Sequence, residues 1–353
     1  MAISLNANPA AGQTFGIPLR MVPLATNSLN GDATRTYLAN STDAADDLTA
    51  GYISSTTKTA IDRAFSQTAR PQPSAVKIGS VDLVGGDVYG ASGLAAIRAA
   101  DDAFYGVCMD VRSDTEVLAL AAAVEATGSK ICAVQVDNAD LLSGAISAST
   151  LAALSAYERT LLEYHDTDTE DQDFCHLAVG LSYTPDTRSA PWTMTCGGVA
   201  AHATALTSGQ RAQAITNNVN IIGTYGGTTN WIDGGKNTAG REMRHIVTHD
   251  WLAQTIEDET IAVNVSLSNE GRVFPVSREG QAIMASIVKG AYTRGAAAGH
   301  FKINQYVPYY PTISAADIAA QRVPFEARIT LLVGGRLFSY TLSLTTSDVI
   351  PES

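Results

Sequence analysis

Between Phe104 and Val136, two short runs that are apolar at nearly every position flank a stretch of helical character, and this alternation constrains the fold more than any other feature. Phe104-Tyr-Gly-Val-Cys-Met-Asp-Val111 and Ile131-Cys-Ala-Val-Gln-Val136 have strand length without polar alternation, the pattern of strands covered on both faces. Ser113-Asp-Thr-Glu116 puts a hydroxyl at an N-cap and a carboxylate three residues on, which predicts a helix from there to about Gly128. Strand, helix, strand implies parallel strands joined by crossovers. Neighbouring segments extend the series. The pattern predicts a strand over 20–25, an acidic helix within 41–50, and a helix over 56–69 stopped by Arg70-Pro71-Gln72-Pro73. It further predicts an extended run over 75–79, a helix over 151–164 and a strand over 176–183.

A second series follows Pro191, with a helix over 208–217, a strand over 220–225, and helices over 241–257 and 278–294. The last of these carries Ile283, Ile287 and Val288 as an apolar stripe. Two alternating runs, 323–333 and 337–344, meet at Gly334-Gly335, the signature of a β-hairpin. At 353 residues the chain exceeds one typical domain. The expected class is α/β: a parallel or mixed sheet domain over 21–200, then an α+β domain over 201–335 that ends in the hairpin. Extended arms lie at 1–20 and 336–353. Nothing in the chain's own pattern pairs these arms. Ile3 and Leu5 in the first, and Phe338, Tyr340, Leu342, Leu344 and Ile350 in the second, are therefore expected to pair with strands of neighbouring subunits.

Charge and motifs narrow the function. The net charge of −12 opposes binding to nucleic acid and to anionic membrane surfaces, and no stretch approaches the ~20 apolar residues that cross a bilayer. With no secretory pattern at its start, the chain reads as folded in a cytoplasm. Cys108, Cys132, Cys175 and Cys196 form no C-x-x-C pair and read as buried thiols, with disulfides between subunits as the lesser alternative. His245 and His249 stand one helical turn apart, the spacing of a metal site, but Ile246 replaces the expected general base and no third ligand is near in sequence. The acidic stretch 166–173 lacks the glycine and the final carboxylate of a calcium loop and reads as solvated. The glycines between Gly85 and Gly93 match no phosphate-binding motif and read as turns. The expectation is a protein that is not an enzyme and takes no cofactor. The alternative from the residues alone is an α/β hydrolase or metal-dependent enzyme using His245 and His249.

Several segments, taken in order, carry a resemblance: Thr36-Tyr-Leu, Ala64-Phe-Ser-Gln-Thr-Ala-Arg-Pro71, Phe104-Tyr-Gly-Val107, Tyr164-His165, Asn218-Val-Asn-Ile-Ile-Gly-Thr-Tyr-Gly-Gly227, His249-Asp-Trp-Leu252, Ser314-Ala-Ala-Asp317 and Arg322. Together they resemble the tail sheath family of phages with contractile tails, in its compact branch long catalogued as a domain of unknown function. Phe274-Pro-Val-Ser-Arg-Glu-Gly280 departs from the turn usual in that branch. The resemblance implies a structural subunit that forms stacked rings around a tail tube and contracts to drive the tube through the host envelope, with a virion structural protein that does not contract as a further alternative. It implies a virion protein assembled in the host cytoplasm, whose partners are itself, the tail tube protein, and the baseplate and tail terminator proteins. It also implies an outward domain over 21–200 and a tube-facing domain over 201–335. In that setting Arg278, Lys289 and Arg294 are the candidates for touching the tube, since they concentrate positive charge on one helix of an acidic chain.

Overall fold

The computed structural model describes residues 2–5, 15–24, 28–67, 71–333 and 336–347. In chain order the elements are β1 (Ala2–Leu5), β2 (Pro18–Pro23), β3 (Thr34–Leu38), α1 (Asp43–Ala50), α2 (Ser55–Phe65), β4 (Ala75–Val81), α3 (Leu94–Ala100), β5 (Gly106–Met109), α4 (Asp114–Thr127), β6 (Ile131–Val136) and β7 (Thr160–Tyr164). Then come α5 (Gln172–Ser182), α6 (Ser208–Thr216), β8 (Val219–Tyr225), β9 (Thr228–Asp233), α7 (Met243–Asn269), α8 (Arg278–Ala297), β10 (Phe301–Tyr309), α9 (Ala315–Ala319), β11 (Arg322–Val333) and β12 (Arg336–Ser347). The class is α/β, as the alternation predicts. Two units divide the chain, one of residues 13–184 and 190–246, the other of 1–12, 185–189 and 247–353. The expected boundary near 200 moves to 246, because β8 and β9 complete the first unit's sheet instead of opening a new one.

That sheet has the order β3-β4-β2-β5-β6-β7-β8-β9, parallel throughout except for β3 and β9 at its two edges. Every residue of β5, β6 and β7 is buried, as strands covered on both faces must be. Val117, Leu120 and Val124 of α4 join Val107, Met109, Val134 and Leu162 in its main core. The Ser113 hydroxyl accepts from the Glu116 N–H, and Gly128 closes the helix in the left-handed region at φ 64°, so both sequence signals mark real ends.

Two sequence expectations are corrected. The segment 176–183 is not a strand but the end of α5, a helix buried on all sides. Burial all round removes the polar face that reveals a helix, leaving a short apolar run that looks like a strand. Gly180 permits the burial, since a Cβ there would lie 2.6 Å from the ring of Trp192. Conversely, 151–164 is not a helix. A short 3₁₀ turn over Ala152–Ala156 leads into β7, whose Leu and Glu residues favour helix locally but are overridden by sheet pairing on both sides. Glu163 is fully buried there, taking hydrogen bonds from Gln172 at 2.6 Å and lying 2.6 Å from His176 Nδ1.

The acidic stretch 166–173 is likewise corrected, because its C-terminal half is buried and paired. Asp171 lies 2.7 Å from Arg20, 3.3 Å from Arg112 and 3.4 Å from Arg63, while Asp173 lies 2.7 Å from Arg112 and Glu170 lies 3.0 Å from Arg63. Three guanidinium groups thus face three carboxylates. Burial dominates at Asp173 and pushes its carboxyl up to about 6, with Arg112 pulling the other way.

In the second unit, α8 buries Met284, Ile287, Val288, Ala291, Tyr292 and Gly295, a complete helical stripe in which Ile283 is only half-buried. It packs on β10 and β11, where Phe301, Val323, Phe325, Ala327 and Ile329 are buried. Each of the Phe, Val and Ile side chains contributes on the order of 1.5–3 kcal/mol of transfer free energy. Tyr292 stacks on Phe301 and Tyr306 at 5.8 and 5.6 Å between ring centroids.

Candidate assembly surface

The second unit's sheet has the order β1-β12-β11-β10. β11 and β12 pair antiparallel without a slip from Arg322↔Ser347 to Val333↔Arg336, the hairpin expected from sequence. Its Gly334-Gly335 turn lies outside the described residues, as does Ile350. Register sets Phe338, Tyr340, Leu342 and Leu344 opposite Leu331, Ile329, Ala327 and Phe325, the last three of which are buried. β1 lies parallel to β12, with Ile3 opposite Leu344 and Leu5 opposite Thr346. The two ends of the chain therefore pair with each other here, whereas the sequence offers neither a partner within the chain. The reason is geometric: β12 has one edge left over from its hairpin, and an edge accepts any strand that reaches it. β1 is only four residues long and covers Ser343–Thr346, so Arg336–Leu342 has no second strand among the described residues. At the opposite edge, β10 exposes Ile303, Val307 and Tyr309, with Arg328 opposite Val307.

The three cations suggested for a tube contact do not form one patch. Arg278 and Lys289 are eleven residues apart on α8, which at about 100° per residue leaves them about 20° apart around the axis, whereas Arg294 lies about 140° from Lys289. Arg294 is also paired with Glu259 of α7. Arg278 rests its guanidinium over the Tyr310 ring at 4.7 Å and donates to Gln281 at 3.0 Å. Lys289 is exposed.

His245 and His249 both lie on α7, and His249 Nδ1 is 3.2 Å from Asp250. Among the described residues, neither falls in a group of three metal-ligating side chains. Among the described residues, the side chains of metal-ligating type that come together in a group of three are His165, Asp166 and His202, whose donor atoms lie within 4.8 Å of one another. Sequence reasoning passed over this group because His202 sits in an alanine-rich loop with no motif around it. The signal available was the His-Asp pair directly after the end of β7. Burial, with His165 beside it, pushes the His202 imidazole below its usual range. All four cysteines are free and buried, and burial raises the thiols of Cys108 and Cys132, the latter to about 12, so neither is a ready thiolate.

No protein-family model matches the chain, and no curated protein sequence matches it. The fold does match solved structures. A chain in the six-fold symmetrised cryo-EM structure of the anti-feeding prophage (AFP) baseplate shares it over 98% of this chain and 94% of its own, with a TM-score of 0.59 and 13% identity. A chain in the contracted-state sheath complex of PVC, an extracellular contractile injection system, shares it over 97% of this chain and 90% of its own, with a TM-score of 0.56 and 11% identity. At such identity the likeness establishes a common fold running from one end of the chain to the other.

Proposed function

We propose that this chain is the structural subunit of a contractile tail sheath, polymerising around an inner tube and contracting to drive that tube through a target envelope. The observation that carries the reading is the end-to-end likeness to the PVC sheath complex. It agrees with a terminal sheet in which the edge strand β1 and its neighbour β12 come from opposite ends of the chain. Main-chain bonds between β1 and β12 have the same register whether the two strands belong to one chain or to neighbours, so exchange of β1 links subunits without new chemistry. Such links persist while subunits rotate, and the energy released on contraction resides in the repacked faces between bodies. In this reading the eight-stranded unit faces outward, the unit carrying the terminal sheet faces the tube, and the particle is a phage virion that ejects its genome. Partners are further copies, the tube protein, and the baseplate and terminator proteins. The subunit itself performs no catalysis. Electron microscopy of the purified chain tests this: hollow tubes of sheath width are expected, and small discrete particles at every concentration would reject it.

Tube contact should rest on weak polar pairs, because the sheath must hold the tube and then release it. Exposed pairs are each worth roughly 0–1 kcal/mol and are screened by salt, but they repeat in every subunit. Replacing Arg278 and Lys289 together by Glu should leave sheath-only tubes intact and weaken assembly on purified tail tubes. The gap between variant and native chain should narrow as salt rises. Equal assembly of both on tubes at low salt would remove this surface from the contact.

A further inference from the structure

His165 and Asp166 directly follow the last residue of β7, and His202 reaches them from the loop preceding α6. Asp166 Oδ1 stands 3.5 Å from His165 Nδ1 and 3.5 Å from His202 Nδ1. That is longer than a good N–H···O hydrogen bond of about 2.7–3.2 Å. It matches instead the edge of a tetrahedral metal site, since bonds of about 2.0–2.2 Å at the tetrahedral angle put neighbouring donors roughly 3.3–3.6 Å apart. We propose that His165, Asp166 and His202 form a binding site for a divalent first-row transition metal of the zinc class, with water as the fourth ligand.

Four further observations support the assignment. The His202 side chain is only 4% exposed, yet neither of its ring nitrogens has a hydrogen-bond partner. A buried polar group left in that state is costly, and a metal bond relieves it. The His165 Nε2–H donates to the Ala200 carbonyl at 3.0 Å, the outer contact that fixes the tautomer and leaves Nδ1 as the unprotonated nitrogen. Asp166 is itself held, accepting from the Ala203 and Thr204 N–H groups at 3.0 Å each, which also anchors the loop that carries His202. Finally, the Asp166 side chain is 20% exposed, so the site has a route to solvent. One bond is given up on binding, because His165 Nδ1 now accepts from the Thr167 N–H at 3.0 Å. Two imidazoles and one carboxylate favour zinc, nickel or copper over magnesium or calcium, which prefer all-oxygen sites. A bound ion would tie the loop before α6 to the end of β7.

The test uses the full-length chain without a histidine tag, stripped with a chelator and titrated with Zn²⁺ by calorimetry and with Co²⁺ by visible absorption. One equivalent of each, a tetrahedral Co²⁺ spectrum and a raised melting temperature are expected. His202→Gln should lower affinity on the order of tenfold or more and abolish the thermal shift, while melting like the native chain when metal-free. The double variant His245→Ala, His249→Ala should bind as the native chain does. No uptake by the native chain, undiminished uptake by His202→Gln, or loss of uptake in the double variant would each overturn the proposal.

Discussion

A chain ending at Leu344 should purify as discrete particles instead of tubes. The truncation removes Thr345 and Thr346, two of the four residues that β1 pairs with, together with the partners of Arg322, Val323 and Pro324 in β11. A backbone hydrogen bond contributes about 0.5–1.5 kcal/mol net, so a four-residue strand pair is worth only a few kcal/mol at each link. Halving it weakens every link of a polymer at once, and assembly responds to all of them. The body of the chain should survive, because the cores of both units lie outside the deleted residues. Ser4→Pro gives an independent arm to the experiment. Ser4 is opposite Thr345, and proline there removes a backbone donor from β1. Both variants should keep the native circular dichroism, melt lower only by the strand pairing they lose, and lose tubes in electron micrographs. Normal tubes from either variant would show that the β1–β12 pair is not the link.

Residues 104–136 announced their own structure because the determinants are local: a capping box, a closing glycine, and strands with no polar face. The C-terminal hairpin was legible for the same reason. The failures share a different cause. α5 looks like a strand because its environment is apolar on every side, and that environment is built by Trp192 and by strands far away in sequence. Asp171 and Asp173 look solvated because their partners Arg20, Arg63 and Arg112 are separated from them by 59 to 151 residues. No window along the chain contains both halves of that network. The pairing of β1 with β12 joins the two ends of the chain, the longest separation available, and His202 meets His165 and Asp166 only after β7 and the loop before α6 are in place. Local physics is written in the sequence, whereas contacts that define the candidate assembly surface and the candidate metal site are products of the fold.

The buried network yields the largest effect on stability. Arg112→Ala should destabilise the unit of residues 13–184 and 190–246 by about 3–5 kcal/mol, the usual result of leaving a buried charge without its partner. For a unit of this size that is a drop in melting temperature of roughly 6–20 °C. Asp171 keeps Arg20 and Arg63, but Asp173 loses the guanidinium paired with it directly and retains the Phe174 N–H at 2.8 Å, with Arg20 acting on it only from farther off. The pH dependence has a definite sign. In the native chain the Asp173 carboxyl is already raised from 3.8 to about 6, so protonation favours the folded state, and this contribution is lost as pH rises through 6. Without Arg112 the carboxyl moves further up, which extends the loss to higher pH. The gap between native chain and variant should therefore be wide at pH 8 and narrow at pH 5, where Asp173 is neutral in both folded proteins. Arg20→Met provides the contrast: it removes one of three guanidinium groups from Asp171 and leaves Asp173 paired with Arg112, so its cost should be smaller and its pH dependence weaker. Melting curves for the three proteins at the two pH values decide the matter. An Arg112→Ala deficit below about 1 kcal/mol, or one that widens toward pH 5, would mean that Asp173 is not held as a charge by Arg112.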